Sequence, residues 1–290
     1  VKMWQRKWRA WLLLPMMLWS VSASAYQLTC NWVFSEDVSI FLHPDSPQRI
    51  LNAIEHYKKI MGIAELAHKP RNMDEAKIRL QTLKPEQKTE ILNLIGEHYN
   101  EVKALKYNDG PFKTFKRHMD LVISQEINAP QFFREQIYEK GRSLEETLDM
   151  FYQKVQEVTK TPVILHGQDV LLTALRLQDR FLKKYDSPIV LYGSFVNGKA
   201  YAKSSDLDFA VIHPKLESSM RETDLLKVLS DFPLSEAQAH TVSPRQVHGL
   251  GSMNPLVLII RKDYIVLRVY ENGLFSDFQN KNVKFDEFYF

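Results

Sequence analysis

Between Ile189 and Ile212 the chain runs Ile-Val-Leu-Tyr-Gly-Ser, crosses a polar loop, and returns as Ser-Asp-Leu-Asp-Phe-Ala-Val-Ile. Two short apolar runs of this kind read as adjacent strands, the first ending in Gly193-Ser194 and the second opening on Asp206 and Asp208. A glycine at a strand end lets the backbone approach a polyphosphate closely, and a neighbouring hydroxyl and amides can contact its oxygens. Carboxylates at i and i+2 of a strand point to one face, about 7 Å apart along the backbone. There they can share a pair of Mg²⁺ ions, hard cations that prefer carboxylate and phosphate oxygens. Asp-x-Asp alone would equally fit a solvated hairpin face. The Gly-Ser pair at the strand end and the eleven residues from Phe195 to Ser205 turn the reading towards phosphate chemistry.

This segment resembles the active-site signature of the DNA polymerase β nucleotidyltransferase superfamily, Gly-Ser followed by a loop and Asp-x-Asp. It is most similar to the minimal and aminoglycoside nucleotidyltransferase branch. The resemblance implies an α+β fold, with a short mixed sheet flanked by helices. It also implies transfer of a nucleoside monophosphate, AMP in the expected case, from a nucleoside triphosphate to an acceptor hydroxyl. Asp206 and Asp208 would hold two Mg²⁺ ions, and Gly193 and Ser194 would bind the β and γ phosphates. Ser205 and Gly198 sit where such loops have small residues, and Lys199 and Lys203 could neutralise triphosphate charge. Solvated loop lysines are the plainer reading of those two, as of Arg245 and Arg261.

Downstream, Leu225, Leu226, Val228, Leu229 and Phe232 recur at helical spacing. Ala239-His-Thr-Val-Ser-Pro-Arg245 then matches the strand that supplies the family's third carboxylate, and His240 stands at that position. An imidazole serves as a base near neutral pH but is a poorer Mg²⁺ ligand than a carboxylate. His240 is thus a substitute base, or Glu217, Asp263 or Glu271 supplies the acid, or catalysis is lost. Asn254 to Glu271 is similar to the family's closing helix and last strand, so the resemblance covers roughly residues 163 to 272.

Lys2, Arg6, Lys7 and Arg9 precede an apolar stretch from Ala10 to Val21, and Ala23-Ser-Ala25 fits a signal-peptidase site. The expectation is a signal peptide over residues 1–25, too short to span a membrane. The mature protein would be periplasmic or secreted, with no stable membrane span. A leading Val1 followed by Met3 fits a valine-type start codon and a bacterial source. The formal charge of +3 includes those four bases, unmatched by any acid in the same stretch, so the remainder carries −1. A near-neutral chain lacks the basic footprint of a nucleic-acid-gripping protein. Cys30 is the only cysteine, which rules out an intrachain disulfide and a cysteine zinc site.

Residues 26–161 read as a helical domain, with a nucleotidyltransferase domain over 162–290. Three apolar stripes carry the helices: Ile50, Leu51, Ile54, Tyr57, Met61; Ile91, Leu92, Ile95, Tyr99, Val102, Leu105; and Leu144, Leu148, Phe151, Val155, Val158. Ser143 to Glu146 fits a capping box, and Pro70, Pro85, Pro111 and Pro130 stand at helix starts or linkers. Phe112 to Arg117 reads as an amphipathic helix end, and His166 as a structural or surface histidine. The helical region would recognise the acceptor, a protein or small molecule, or a protein partner. The periplasm holds little nucleoside triphosphate, so export implies delivery into another cell's cytosol or loss of transfer. The alternative function is therefore an exported, catalytically silent binding module with His240 in place of the third acid.

Overall fold

The computed structural model describes residues 45–66, 70–104, 110–183, 187–199, 207–212, 239–242, 255–270 and 284–290. The helices are α1 (Ser46–Met61), α2 (Pro70–Thr82), α3 (Pro85–Ala104), α4 (Gly110–Ile127), α5 (Ala129–Arg134), α6 (Leu144–Thr159) and α7 (Gly167–Leu177). Both α5 and α7 run on into a π-helical turn, Glu135–Glu139 and Gln178–Leu182 respectively.

The starts follow their chemistry. Pro70 and Pro85 open α2 and α3, and Pro111 and Pro130 are second in α4 and α5, where a missing N–H leaves no helical bond unmade. At α6 the Ser143 hydroxyl accepts from the Glu146 amide while the Glu146 carboxylate accepts from the Ser143 amide, the expected capping box. The stripes face inward: Ile50, Ile54 and Tyr57 on α1, Ile91, Ile95 and Tyr99 on α3, and Leu148, Phe151 and Val155 on α6 are buried. Leu51 is the stripe member left exposed on α1, and Leu105 lies outside the described residues.

The strands are β1 (Ile189–Tyr192), β2 (Asp208–Ile212), β3 (Ala239–Val242), β4 (Leu256–Ile260), β5 (Ile265–Tyr270) and β6 (Phe285–Tyr289). They form one mixed sheet in the order β3-β2-β1-β4-β5-β6, antiparallel except for the β2–β3 pair. The fold is α+β. One point departs from the sequence reading: the stretch expected to close as a helix and a strand is instead the β4–β5 hairpin. Leu-Val-Leu-Ile-Ile and Ile-Val-Leu-Arg-Val-Tyr are rich in β-branched residues, and both runs are almost wholly buried, the condition of central strands.

One sheet face, with Leu191, Phe209, Leu258 and Leu267, merges with the helices into a single buried cluster running from Ile50 to Phe288. The opposite face buries Val190, Tyr192, Ala210, Val257 and Tyr270 in a second cluster. The helices thus brace the sheet directly. Among the described residues no helix is long and apolar enough to cross a membrane.

Candidate active site

At the end of β1 the chain passes from Tyr192 into a single helical turn, α8 (Gly193–Val196). Gly193 has φ +76°, in the left-handed region that residues with a Cβ avoid. A Cβ built there would lie 2.0 Å from Oδ2 of Asp208. The register explains the closeness, since Tyr192 pairs with Asp208 across the antiparallel β1–β2 ladder. The expected glycine and the second aspartate of the motif are therefore in direct contact, carboxylate against Cα, with Asp208 half-buried at the end of its strand.

β3 runs alongside β2, and His240 pairs with Ala210, two residues beyond Asp208. A strand spacing of about 4.8 Å and a rise of about 3.3 Å per residue put the two Cα atoms roughly 8 Å apart. The His240 side chain, and Lys203, Ser205, Asp206, Glu217, Arg245 and Glu271, lie outside the described residues. Asp263 is exposed in the β4–β5 turn, beside the Ile189 end of β1 and thus at the opposite end of the sheet from Asp208. That placement removes it as a source of the third acid. Arg261 is exposed in the same turn, and Gln178 donates to its carbonyl. His166 immediately precedes α7, where its backbone amide donates to Asp169.

Lys199 is not the solvated loop lysine that the sequence suggests, because its side chain is largely buried and reaches α4. Its Nζ donates to Oδ1 of Asp120 on α4 at 3.1 Å, while Lys116 donates to Oδ2 at 2.7 Å and the Tyr99 hydroxyl to Oδ1 at 3.0 Å. Burial alone would raise the Asp120 pKa, but the charges and hydrogen bonds of Lys116 and Lys199 overrule it and hold the carboxyl well below its ordinary range. Lys103 on α3 feels the same cluster. Burial pushes its pKa down to about 7, helped by repulsion from Lys116 and Lys199 and opposed by Asp120. A helical carboxylate is thus tied to the loop that follows Gly193.

Two further side chains seize this loop. Asn197 is 2% exposed, and its Nδ2 donates to Gly193 O at 2.7 Å while its Oδ1 accepts from Leu256 N at 2.9 Å. Tyr152 of α6 is fully buried; its hydroxyl donates to Val196 O at 3.0 Å. Its ring lies under Gly198, where a Cβ would come within 2.1 Å of it. Asp120, Asn197 and Tyr152 carry no motif, and only the position of Asn197 inside the Gly-Ser loop could have drawn notice.

Among the described residues no three His, Cys, Asp or Glu side chains gather as a metal site. Asp208 itself suits a Mg²⁺ ligand: a half-buried carboxylate at a strand end, packed against the Gly193 turn. A separate cavity of about 290 Å³, lined by Gly62, Glu65, Glu75, Arg79 and His118 among others, shares no residue with the turn. His118 there is neutral near pH 7, because burial lowers its pKa to about 4.

No curated protein and no solved structure gives a significant match to the chain. Residues 174–248 match the family model described as a nucleotidyltransferase domain, a span that takes in the Gly193 turn, β2 and β3. The match supports the superfamily resemblance over the stretch that builds this site, and with it nucleotidyl transfer as the general activity.

Proposed function

We propose that the protein transfers a nucleoside monophosphate, AMP from ATP in the first instance, to an acceptor hydroxyl with Mg²⁺. The observation that carries this reading is the contact of the Asp208 carboxylate with the Gly193 Cα at the end of β1. It supports a site in which a metal-binding carboxylate and a phosphate-binding turn share one edge.

In this reading Asp206 and Asp208 hold Mg²⁺, which when bound neutralises phosphate charge and polarises the reacting group. Gly193 and Ser194 receive the β and γ phosphates, with Lys203 and Ser205 further along the same loop. The acceptor oxygen bonds to the α-phosphorus, the bond from that phosphorus to the bridging oxygen breaks, and pyrophosphate leaves. His240 takes the proton released by the acceptor hydroxyl. Catalysis comes mainly from orientation and charge stabilisation. The helical region presents the acceptor, a protein or small molecule, and the mature protein acts outside the cytoplasm of the cell that makes it.

The test is incubation of the purified full chain with α-labelled ATP, Mg²⁺ and a cell lysate. Label should pass to an acceptor in a Mg²⁺-dependent way, and Asp208→Ala should abolish it. Tight Mg²⁺-dependent triphosphate binding with no transfer to any fraction would replace this reading by the silent binding module.

A further inference from the structure

We infer that Asn197 and Tyr152 are positioning residues for nucleotidyl transfer, which together fix the peptide plane between Gly193 and Ser194 so that the Ser194 amide faces the triphosphate. The inference rests on the reading of the Gly193 turn as a triphosphate site.

The Gly193 carbonyl accepts two hydrogen bonds, from the Asn197 backbone amide at 3.2 Å and from Asn197 Nδ2 at 2.7 Å. Both of its lone pairs are thereby committed to the protein side. The trans peptide is planar, with C=O and the following N–H pointing in opposite directions. Holding Gly193 O therefore turns the Ser194 N–H away from Asn197. Asn197 in turn cannot swing, because its Oδ1 accepts from Leu256 N at the first residue of β4, and Nδ2 makes a weaker 3.4 Å contact with Leu256 O. Leu256 belongs to the strand that pairs with β1, so the amide ties the turn to the neighbouring strand and not merely to itself.

Tyr152 holds the other end. Its hydroxyl satisfies the Val196 carbonyl, one of the groups a helix leaves unpaired at its C-terminus. Its ring blocks any movement of Gly198 towards α6. The turn is thus clamped on both sides of Asn197, by groups from β4 and from the helical region.

The test is Asn197→Asp in the full chain. The substitution keeps size and the acceptor for Leu256 N, but removes the donor to Gly193 O and sets negative charge against that carbonyl. A misplacement of the order of 1 Å at a reacting centre costs about 10²-fold in rate. Transfer by the folded variant should therefore fall about 10²-fold in kcat/KM for ATP, with KM raised. The defect should shrink towards acid pH relative to wild type, because a protonated carboxyl has an O–H that can donate to Gly193 O. Tyr152→Phe removes only the hydroxyl and should lower kcat/KM by about 10-fold, the worth of one hydrogen bond. It serves as the test if Asn197→Asp does not fold. A purely structural role would lower unfolding stability in urea while leaving kcat, KM and the pH profile of the folded fraction unchanged, and that result overturns the inference while the triphosphate reading stands. A wild-type chain that binds no Mg²⁺–ATP overturns the reading itself, and the inference with it.

Discussion

Gly193→Ala, alone and combined with Asp208→Ala, measures the contact on which the site depends. The added methyl would start 2.0 Å from Oδ2 of Asp208, and ordinary contact begins near 3.4 Å, so the carboxylate must retreat by about 1.4 Å. Two separable costs follow. The left-handed backbone at φ +76° penalises any residue with a Cβ by about 1–2 kcal/mol. Driving the carboxylate off its preferred rotamer adds about 0.5–1.5 kcal/mol. The single change should therefore lower unfolding stability by about 2–3 kcal/mol. In the Asp208→Ala background the second cost vanishes, leaving the backbone part and a milder 3.1 Å approach to the Cβ of residue 208. Urea unfolding of the four proteins should give a coupling of about 1 kcal/mol, outside the additivity expected of independent sites. Mg²⁺-dependent transfer by Gly193→Ala should fall about 10²-fold, because the carboxylate has moved by more than 1 Å. Strict additivity, with transfer intact, would refute the contact between Gly193 and Asp208.

Other expectations lie further from the turn. Asp120→Asn leaves Lys116 and Lys199 facing a neutral amide in a buried place and should destabilise the fold by about 3–5 kcal/mol in urea. Because the folded Asp120 pKa lies below the ordinary value of 3.8, its contribution is complete above that value and decays as pH falls beneath it; Asp120→Asn should remove that part of the acid limb. Lys103 has the same sign in a higher pH window. Its folded pKa of about 7 lies below its ordinary 10.5, so the unfolded chain binds the extra proton and stability should rise with pH between those values, a slope that Lys103→Met should flatten in unfolding titrations. For the N-terminal region, protein recovered from outside the producing cell's cytoplasm should begin at Tyr26 by mass spectrometry, and an intact N-terminus would overturn the signal-peptide reading.

What the sequence disclosed depended on how local the cause was. The capping box at Ser143, the proline-opened helices and the inward stripes of α1, α3 and α6 all arise within a few residues, and each stands where the pattern placed it. The β4–β5 hairpin was equally local, since Leu256–Ile260 is a β-branched run. There the residues' own β preference, and not the family likeness, accounts for the fold. The tie between Asp120 and Lys199 spans 79 residues of chain, and nothing in Met-Asp-Leu on an amphipathic helix distinguishes a buried aspartate from a solvated one. Asn197 reads as an ordinary loop residue, because its partner Leu256 becomes a neighbour only when β4 pairs with β1.

Three constraints converge on one short segment. Gly193 adopts a left-handed conformation, Asp120 is a buried charge held ionised by Lys116 and Lys199, and Asn197 is a buried amide that bonds the backbone of both Gly193 and Leu256. All three constrain the backbone from Gly193 to Lys199. The opposite end of the sheet, at Arg261 to Tyr264, is an exposed turn where Gln178 donates to the Arg261 carbonyl, but among the described residues no buried charge or amide holds its backbone. The ties on the Gly193 segment stabilise the fold, and they also suit a rigid anionic ligand at the Gly193 turn, since a preorganised turn loses less freedom on binding. Both the transferase and the silent binding module need such a turn. They part at β3, where a proton acceptor within reach of the acceptor hydroxyl makes the difference, and His240 is the residue that the pairing of β3 with β2 brings to that edge.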